Sequence, residues 1–284
     1  MKWLIFEEKI AVMVLRLLVL FVLLFLFSLL LVLVIKGGEK LTLSFLLEEP
    51  RKSMTEGGIY PALLGSLYLS VGSIIVALPL GVFSGIYLSE FAKDNWFTSL
   101  VRSCVNALAG IPSVVFGLFG LSLFVNAFGF GVSILSGVLT LGVLVLPIMI
   151  KVTEEAIKAI PMDLREAAYA LGAGKWKMIR IVLLPIAFPS ILTGAILSLG
   201  RAAGETAPIM FTAVTFYTRK LPSSIFDEVM ALPYLIYGLM TEGTKPEKQI
   251  PMAFGSALVL LILTLSISGL GIYLRYRWRR KGII

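Results

Sequence analysis

The sequence predicts an all-α, polytopic membrane protein with about six transmembrane helices. Three observations predict it: the chain is 58% hydrophobic, only 15% of it is charged, and its mean hydropathy is +0.96. A soluble domain is nearer one-quarter charged and about half apolar. The apolar residues also gather in stretches that run for about 20 residues without charge, the length that spans a bilayer as helix.

Read in order, the first span covers Ile10 to Ile35 and the second lies within Ile59 to Ser89. The third and fourth share Ser103 to Ile150, divided by a turn at Asn126 to Ser133, where Gly129 and Gly131 supply the punctuation. The fifth runs from Ile181 to about Phe216 and the sixth from about Ile250 to Leu274. Pro79, Pro112 and Pro147 fall inside these spans, where local kinks are expected. The run Leu17 to Ile35 is too long for the apolar core of a signal peptide and no A-x-A site follows it, so it is expected to remain as the first span.

Lys and Arg set the orientation. Lys2, Lys9 and Arg16 flank the first span, and Arg275, Arg277, Arg279, Arg280 and Lys281 form a dense tail. Both termini are therefore expected in the cytoplasm, with Phe91 to Arg102 and Lys151 to Arg180 as inner loops. Lys36 to Gly58 and Arg219 to Gln249 lie outside, where acidic residues largely offset the cations. The net charge of +8 is explained by this topology, so nucleic acid is not an expected partner. One cysteine, Cys104, and no histidine leave no disulfide framework and no imidazole chemistry. No cofactor is implied.

Two segments carry chemistry. Pro161 to Pro185 is a polar loop with a short helical pattern: Leu164, Ala167, Ala168 and Leu171 recur at helical spacing, Asp163 is placed to cap the start, and Gly172 to end the helix. Gly172–Ala173–Gly174–Lys175 superficially suggests a phosphate-binding loop, but G-x-x-x-x-G-K-[ST] needs Gly at Tyr169 and a hydroxyl at Trp176. The chain has no other such stretch, so any ATP-derived energy must come from a separate polypeptide.

The second segment, Gly200 to Pro208, reads GRAAGETAP and sets Arg201 and Glu205 four residues apart on one helix face. Uncharged residues flank the pair on both sides, which places it at membrane depth, where a central charge costs roughly 2.5–3.5 kcal/mol on insertion scales. One reading is an ion pair that locks two helices. The other is an anion site, in which the guanidinium offers a planar fork to an oxyanion and Glu205 offsets it when empty. Thr206 and Thr212 add hydroxyls; Gly200 and Gly204 leave room. A carboxylate accepts a hydrogen bond from a protonated phosphate and repels a fully ionised sulfate.

Glu166, Ala167, Ala168, Gly172, Val182, Leu184 and Pro185 match the EAA loop of bacterial ABC import permeases, with Val182 where the family usually has Ile. The resemblance implies a type I ABC importer permease fold. It also implies that Glu166, Ala167, Ala168 and Gly172 couple to an ATPase. GRAAGETAP, with GIPSVVFG at Gly110 to Gly117, further resembles the membrane subunits of phosphate ABC importers. GGIYPALLGSL at Gly57 to Leu67 and LPYLIYGL at Leu232 to Leu239 resemble the A-type subunit, PstA, more than the C-type, PstC. That family implies a substrate pathway at Arg201, Glu205 and Thr206. Its implied partners are a second, PstC-like permease, two ATPases, an extracytoplasmic phosphate-binding protein and inorganic phosphate. The expected division is residues 1–58 as tail, first span and outer loop, and 59–284 as a five-helix permease core with the coupling loop at 161–185. An importer for another oxyanion, such as sulfate or molybdate, and an autonomous anion channel or carrier remain open.

Overall fold

The computed structural model describes residues 2–52, 54–218 and 221–280; the expected tail cation Lys281 and the loop boundary Arg219 lie outside them. A 37-residue helix, α1 (Lys2–Gly38), opens the chain. A short α2 (Leu43–Leu47) and an antiparallel pair, β1 (Pro50–Arg51) and β2 (Glu56–Gly57), then lead into α3 (Tyr60–Ile86), which ends in a π-helical turn at Tyr87–Phe91. Next come α4 (Trp96–Ala109), α5 (Ser113–Gly120) with a π turn at Leu121–Ala127, and α6 (Ile134–Lys158). The segment after α6 holds α7 (Met162–Ala170) and α8 (Lys175–Met178), which runs through a π turn into α9 (Leu184–Gly204). Helices α10 (Ala207–Thr212), α11 (Leu232–Thr241) and α12 (Pro246–Arg280) complete the fold.

Among the described residues, five helical segments are long and apolar enough to cross a membrane, and α4 with α5 makes a sixth if counted as one bent span. The expected turn is present, with Gly129 and Gly131 at positive φ, and Ser133 caps α6 by accepting from the Ser136 N–H. Pro79 and Pro147 lie inside α3 and α6. Two expectations need correction. The third span is broken at Gly110–Ile111–Pro112, and its halves meet at 104°, because a proline drives the preceding residue out of the helical region. The fifth span stops at Gly204, well short of Phe216, because continuing the helix would drive the Pro208 ring into the Gly204 carbonyl.

The core is centred on α3, α6 and α9. Ala77, Leu144, Val145, Met149, Ile191 and Ala202 share one buried cluster. Glycines set the α3–α6 spacing: a Cβ at Gly81 would stand 2.4 Å from Met149 Cβ, and one at Gly85 2.6 Å from Thr153 Cβ. Gly81→Val is therefore expected to destabilise the protein by at least about 1–3 kcal/mol through overpacking. Thermal unfolding in detergent would show this, with Leu80→Val on the exposed side shifting the midpoint little.

In a second cluster, Phe45, Ile59, Met230, Leu232, Leu235 and Met252 bury one another. The preceding loop is tied to the start of α6, whose Ile134 and Leu135 N–H groups donate to the carbonyls of Asp227 and Ile225. The Asp227 carboxylate accepts from the Ser223 N–H and hydroxyl and the Ser224 N–H, and these bonds hold its pKa below the usual carboxylate value. Because the folded value is depressed, the contribution is present above the unfolded value near about 3.9 and is lost as pH falls through the folded one. Asp227→Ala is expected to loosen Leu221 to Glu228, read as severalfold faster protease cleavage there at neutral pH. The difference from wild type should vanish in strong acid.

Candidate functional site

The broken fifth span places the charged pair. With α9 ended at Gly204, Glu205 takes an extended conformation (φ −73°, ψ 132°) as the C-cap, and Thr206 begins the approach to α10. The pair therefore sits at a helix end and not within one continuous helix, yet it persists: Arg201 Nε lies 3.4 Å from Glu205 Oε1. Gly194 abuts Val152, the neighbour of Lys151 on α6, and Arg201 is seven residues further along α9, about 10 Å at 1.5 Å per residue. Ala202 shares a buried cluster with Phe116, Leu144 and Val145.

The two faces of this turn differ. Ala202 and Ala203 are buried, whereas Arg201 and Gly204 are exposed. The Arg201 side chain is 40% exposed and that of Glu205 16%. A Cβ at Gly204 would meet nothing within 4 Å, and one at Gly200 only Ser268 Oγ at 3.7 Å. Among the described residues neither Nη group of Arg201 donates to a protein acceptor. The fork thus keeps its strongest geometry for a ligand while Nε faces the carboxylate. Thr206 is half-buried beside the pair. Thr212 is not available: it is buried, and its hydroxyl donates to the Pro208 carbonyl at 2.9 Å.

The bent α4–α5 elbow borders the same level, which sequence reasoning missed. Ile111 packs against the cluster that holds Ala202, and Gly117 lets α5 lie on α10, where a Cβ would stand 2.9 Å from Pro208 Cα. The signal was Gly110–Ile111–Pro112 itself, a breaker sequence read only as a kink. Among the described residues no cluster of Cys, Asp or Glu is arranged to hold a metal.

The α7 segment lies at the other end of the α8–α9 rod, about 40 Å from Arg201 by helical rise. Glu166 and Ala167 are exposed on α7 and Ala168 is buried. Gly172 ends the helix at φ +77°: its N–H donates to the Tyr169 carbonyl and the Ala173 N–H to the Ala168 carbonyl, the Schellman pattern that a left-handed glycine permits. Asp163 is not the cap. The N-cap is Pro161, and Asp163 falls in the first turn, where its charge still suits the helix dipole. Exposed Met162 and Tyr169 flank Glu166 at helical spacing on α7, and exposed Leu171 and Trp176 follow along the chain, Leu171 at 89%.

Sequence reasoning also missed two ion-pair networks. Arg102 Nε donates to Glu154 at 2.9 Å, and Lys158 pairs with the same carboxylate at 2.6 Å, linking α4 to α6. Glu90 pairs with Arg165 at 2.9 Å. No local spacing reveals either long-range pair, since their members lie 52 and 75 residues apart.

Known proteins resemble the chain at three levels. Residues 77–280 match the model of a family described as "Binding-protein-dependent transport system inner membrane component". The chain is 37% identical over 243 residues to the "Probable ABC transporter permease protein YqgI" of Bacillus subtilis, covering 82% of each. It is 41% identical over 227 residues to the "Phosphate transport system permease protein PstA" of Mycobacterium leprae, covering 79% of this chain and 73% of that one. Among solved structures, the permease of a bacterial alginate ABC transporter superposes with a TM-score of 0.68 over 97% of this chain and 94% of its own, at 16% identity. The inward-facing MetNI methionine transporter gives 0.60 over 78% and 94%, at 20% identity. These likenesses are to type I ABC importer permeases, which are non-catalytic membrane components. The chain belongs to the binding-protein-dependent transport system inner membrane component family and is the permease subunit of an ABC importer.

Proposed function

We propose that this permease carries inorganic phosphate, with Arg201, Glu205 and Thr206 on the substrate pathway and Glu166, Ala167, Ala168 and Gly172 coupling it to an ATPase. The supporting observation is an arginine in an otherwise apolar stretch whose two Nη groups donate to no protein acceptor among the described residues. It stands beside a carboxylate that accepts from a protonated phosphate. The naming of relatives such as that of Mycobacterium leprae as phosphate permeases supports the same substrate.

Importers of this family work with an ATPase and a substrate-binding protein. In the proposed assembly the chain pairs with a second, PstC-like permease, binds two ATPases through α7, and receives phosphate from an extracytoplasmic binding protein. Residues 1–58 form the tail, first span and outer loop, and 59–284 the permease core with its coupling loop at 161–185. Both termini face the cytoplasm, a reading supported by the cations around the first span and after the last. ATP binding closes the ATPases, α7 moves with them, and the site at Arg201 opens outward; hydrolysis returns it to the cytoplasm.

The test is ATPase stimulation of the purified complex. Phosphate-loaded binding protein is expected to raise hydrolysis severalfold above the unloaded protein. Stimulation by a sulfate- or molybdate-loaded protein, with none by the phosphate-loaded one, would assign the pathway to another oxyanion.

A further inference from the structure

Apart from its short backbone connections, residues 159–161 to α6 and 171–174 to α8, α7 is held by very little. Of its nine residues only Arg165 and Ala168 are buried, and Ala168 contributes a single methyl group to the core cluster. Arg165 points away from exposed Glu166, back into the protein, and its guanidinium meets two separate spans. Nη2 donates to Glu90 Oε1 at 2.9 Å and to the Ile157 carbonyl at 2.9 Å. Nη1 donates to the Ile160 carbonyl at 2.5 Å, and Nε lies 3.3 Å from the same Glu90 oxygen. Glu90 belongs to the π turn that ends α3; Ile157 and Ile160 stand at the end of α6.

The pair is enclosed, with side chains 11% and 9% exposed for Arg165 and Glu90, so water competes poorly with it. A second cation adds to the same turn: Lys175, at the start of α8, donates to the Glu90 carbonyl and stands 4.7 Å from the Phe91 ring centre. α3 and α6 are in turn packed backbone to side chain at Gly81 and Gly85, so a displacement of their inner ends moves both as one body. Side chains with one methyl group of apolar contact slide; a forked, desolvated ion pair does not.

We infer that the Glu90–Arg165 pair is the link through which movement of α7 reaches α3 and α6, making Arg165 and Glu90 positioning residues of the transport cycle. The inference rests on α7 being the ATPase-coupling helix, and it is independent of which solute is carried. Glu90→Gln keeps the size and one acceptor but removes the charge that fixes the guanidinium, so α7 should move with the ATPase while the spans lag behind.

The test uses the complete transporter in liposomes, with exposed Cys104 replaced by Ser and a reporter Leu197→Cys. Leu197 is exposed and lies one turn from Arg201 on the same face of α9. Labelling by an impermeant maleimide is compared between nucleotide-free and vanadate-trapped complex, alongside ATPase activity. With the pair intact, the two states are expected to differ at least fivefold in labelling rate. In Glu90→Gln the difference should fall below twofold while hydrolysis stays within twofold of wild type, and Arg165→Lys, which reaches the carboxylate but lacks the fork, should be intermediate. A Glu90→Gln complex that keeps the full difference would overturn the inference. So would one that loses assembly, hydrolysis and labelling change together, since that is a structural pair and nothing more. Labelling needs no phosphate, so a failure of the phosphate assignment would leave this result readable.

Discussion

Arg201→Ala is expected to abolish phosphate uptake while the complex assembles at normal levels. The substitution removes a side chain that is already exposed and whose closest charged partner is a single 3.4 Å contact to Glu205, so the fold loses little. Transport loses its only cation on the open face of α9. Charge-assisted hydrogen bonds are worth roughly 1.5–3 kcal/mol each, and a two-point contact to a phosphate is therefore worth at least about a hundredfold in rate or affinity. Arg201→Lys keeps the charge without the planar fork and should retain a small part of the uptake. Normal uptake by Arg201→Ala would remove this residue from the pathway; loss of assembled complex would make it a structural ion pair.

Gly172→Val is expected to disconnect the permease from its ATPase. The residue sits at φ +77°, where a β-branched side chain is a genuine outlier and the left-handed conformation costs roughly 1–2 kcal/mol. Relieving that strain breaks the two hydrogen bonds that close α7 onto Tyr169 and Ala168 and swings Leu171 away from Glu166. Exposed Tyr169 and Leu171 before the turn and Trp176 after it then change their relative positions. Co-purification of the ATPase should fall at least tenfold, with membrane insertion unchanged because a Cβ at this position meets nothing within 4 Å. Retained ATPase would show that the turn does not shape the docking surface.

Much of this fold is legible because a bilayer leaves a chain few options. A run such as Leu17 to Ile35 can only close its backbone hydrogen bonds as helix, and the exposed α1 is just that. What hydropathy does not carry is where a span breaks inside the membrane. Pro112 lies in apolar surroundings much like those of Pro79 and Pro147, which their helices absorb, and Pro208 follows the charged stretch RAAGE. The difference is local: Gly110 precedes Pro112, and Gly204 stands four residues before Pro208, so in both places the helix was already weakened. The site shows the same division. Arg201 and Glu205 stood out as charges in an apolar stretch, and Gly172 as a helix end, both short-range signals. Glu90 and Arg165 belong to loops that look like ordinary charged surface, and only the return of α6 beside α3 brings them together. The packing of the elbow at Ile111 against the central cluster was likewise invisible, because nothing local ties residue 111 to α3, α6 and α9.

The most direct measurement is accumulation of radiolabelled phosphate inside liposomes carrying this chain, the second permease and the ATPase, with loaded binding protein and ATP supplied on their respective sides. Uptake against the gradient is expected only when every component is present. It should disappear when the ATPase is left out, and a tenfold excess of sulfate should leave it unaffected. Phosphate flux down its gradient through this polypeptide alone, without ATP, would contradict the coupled importer and point to an autonomous channel.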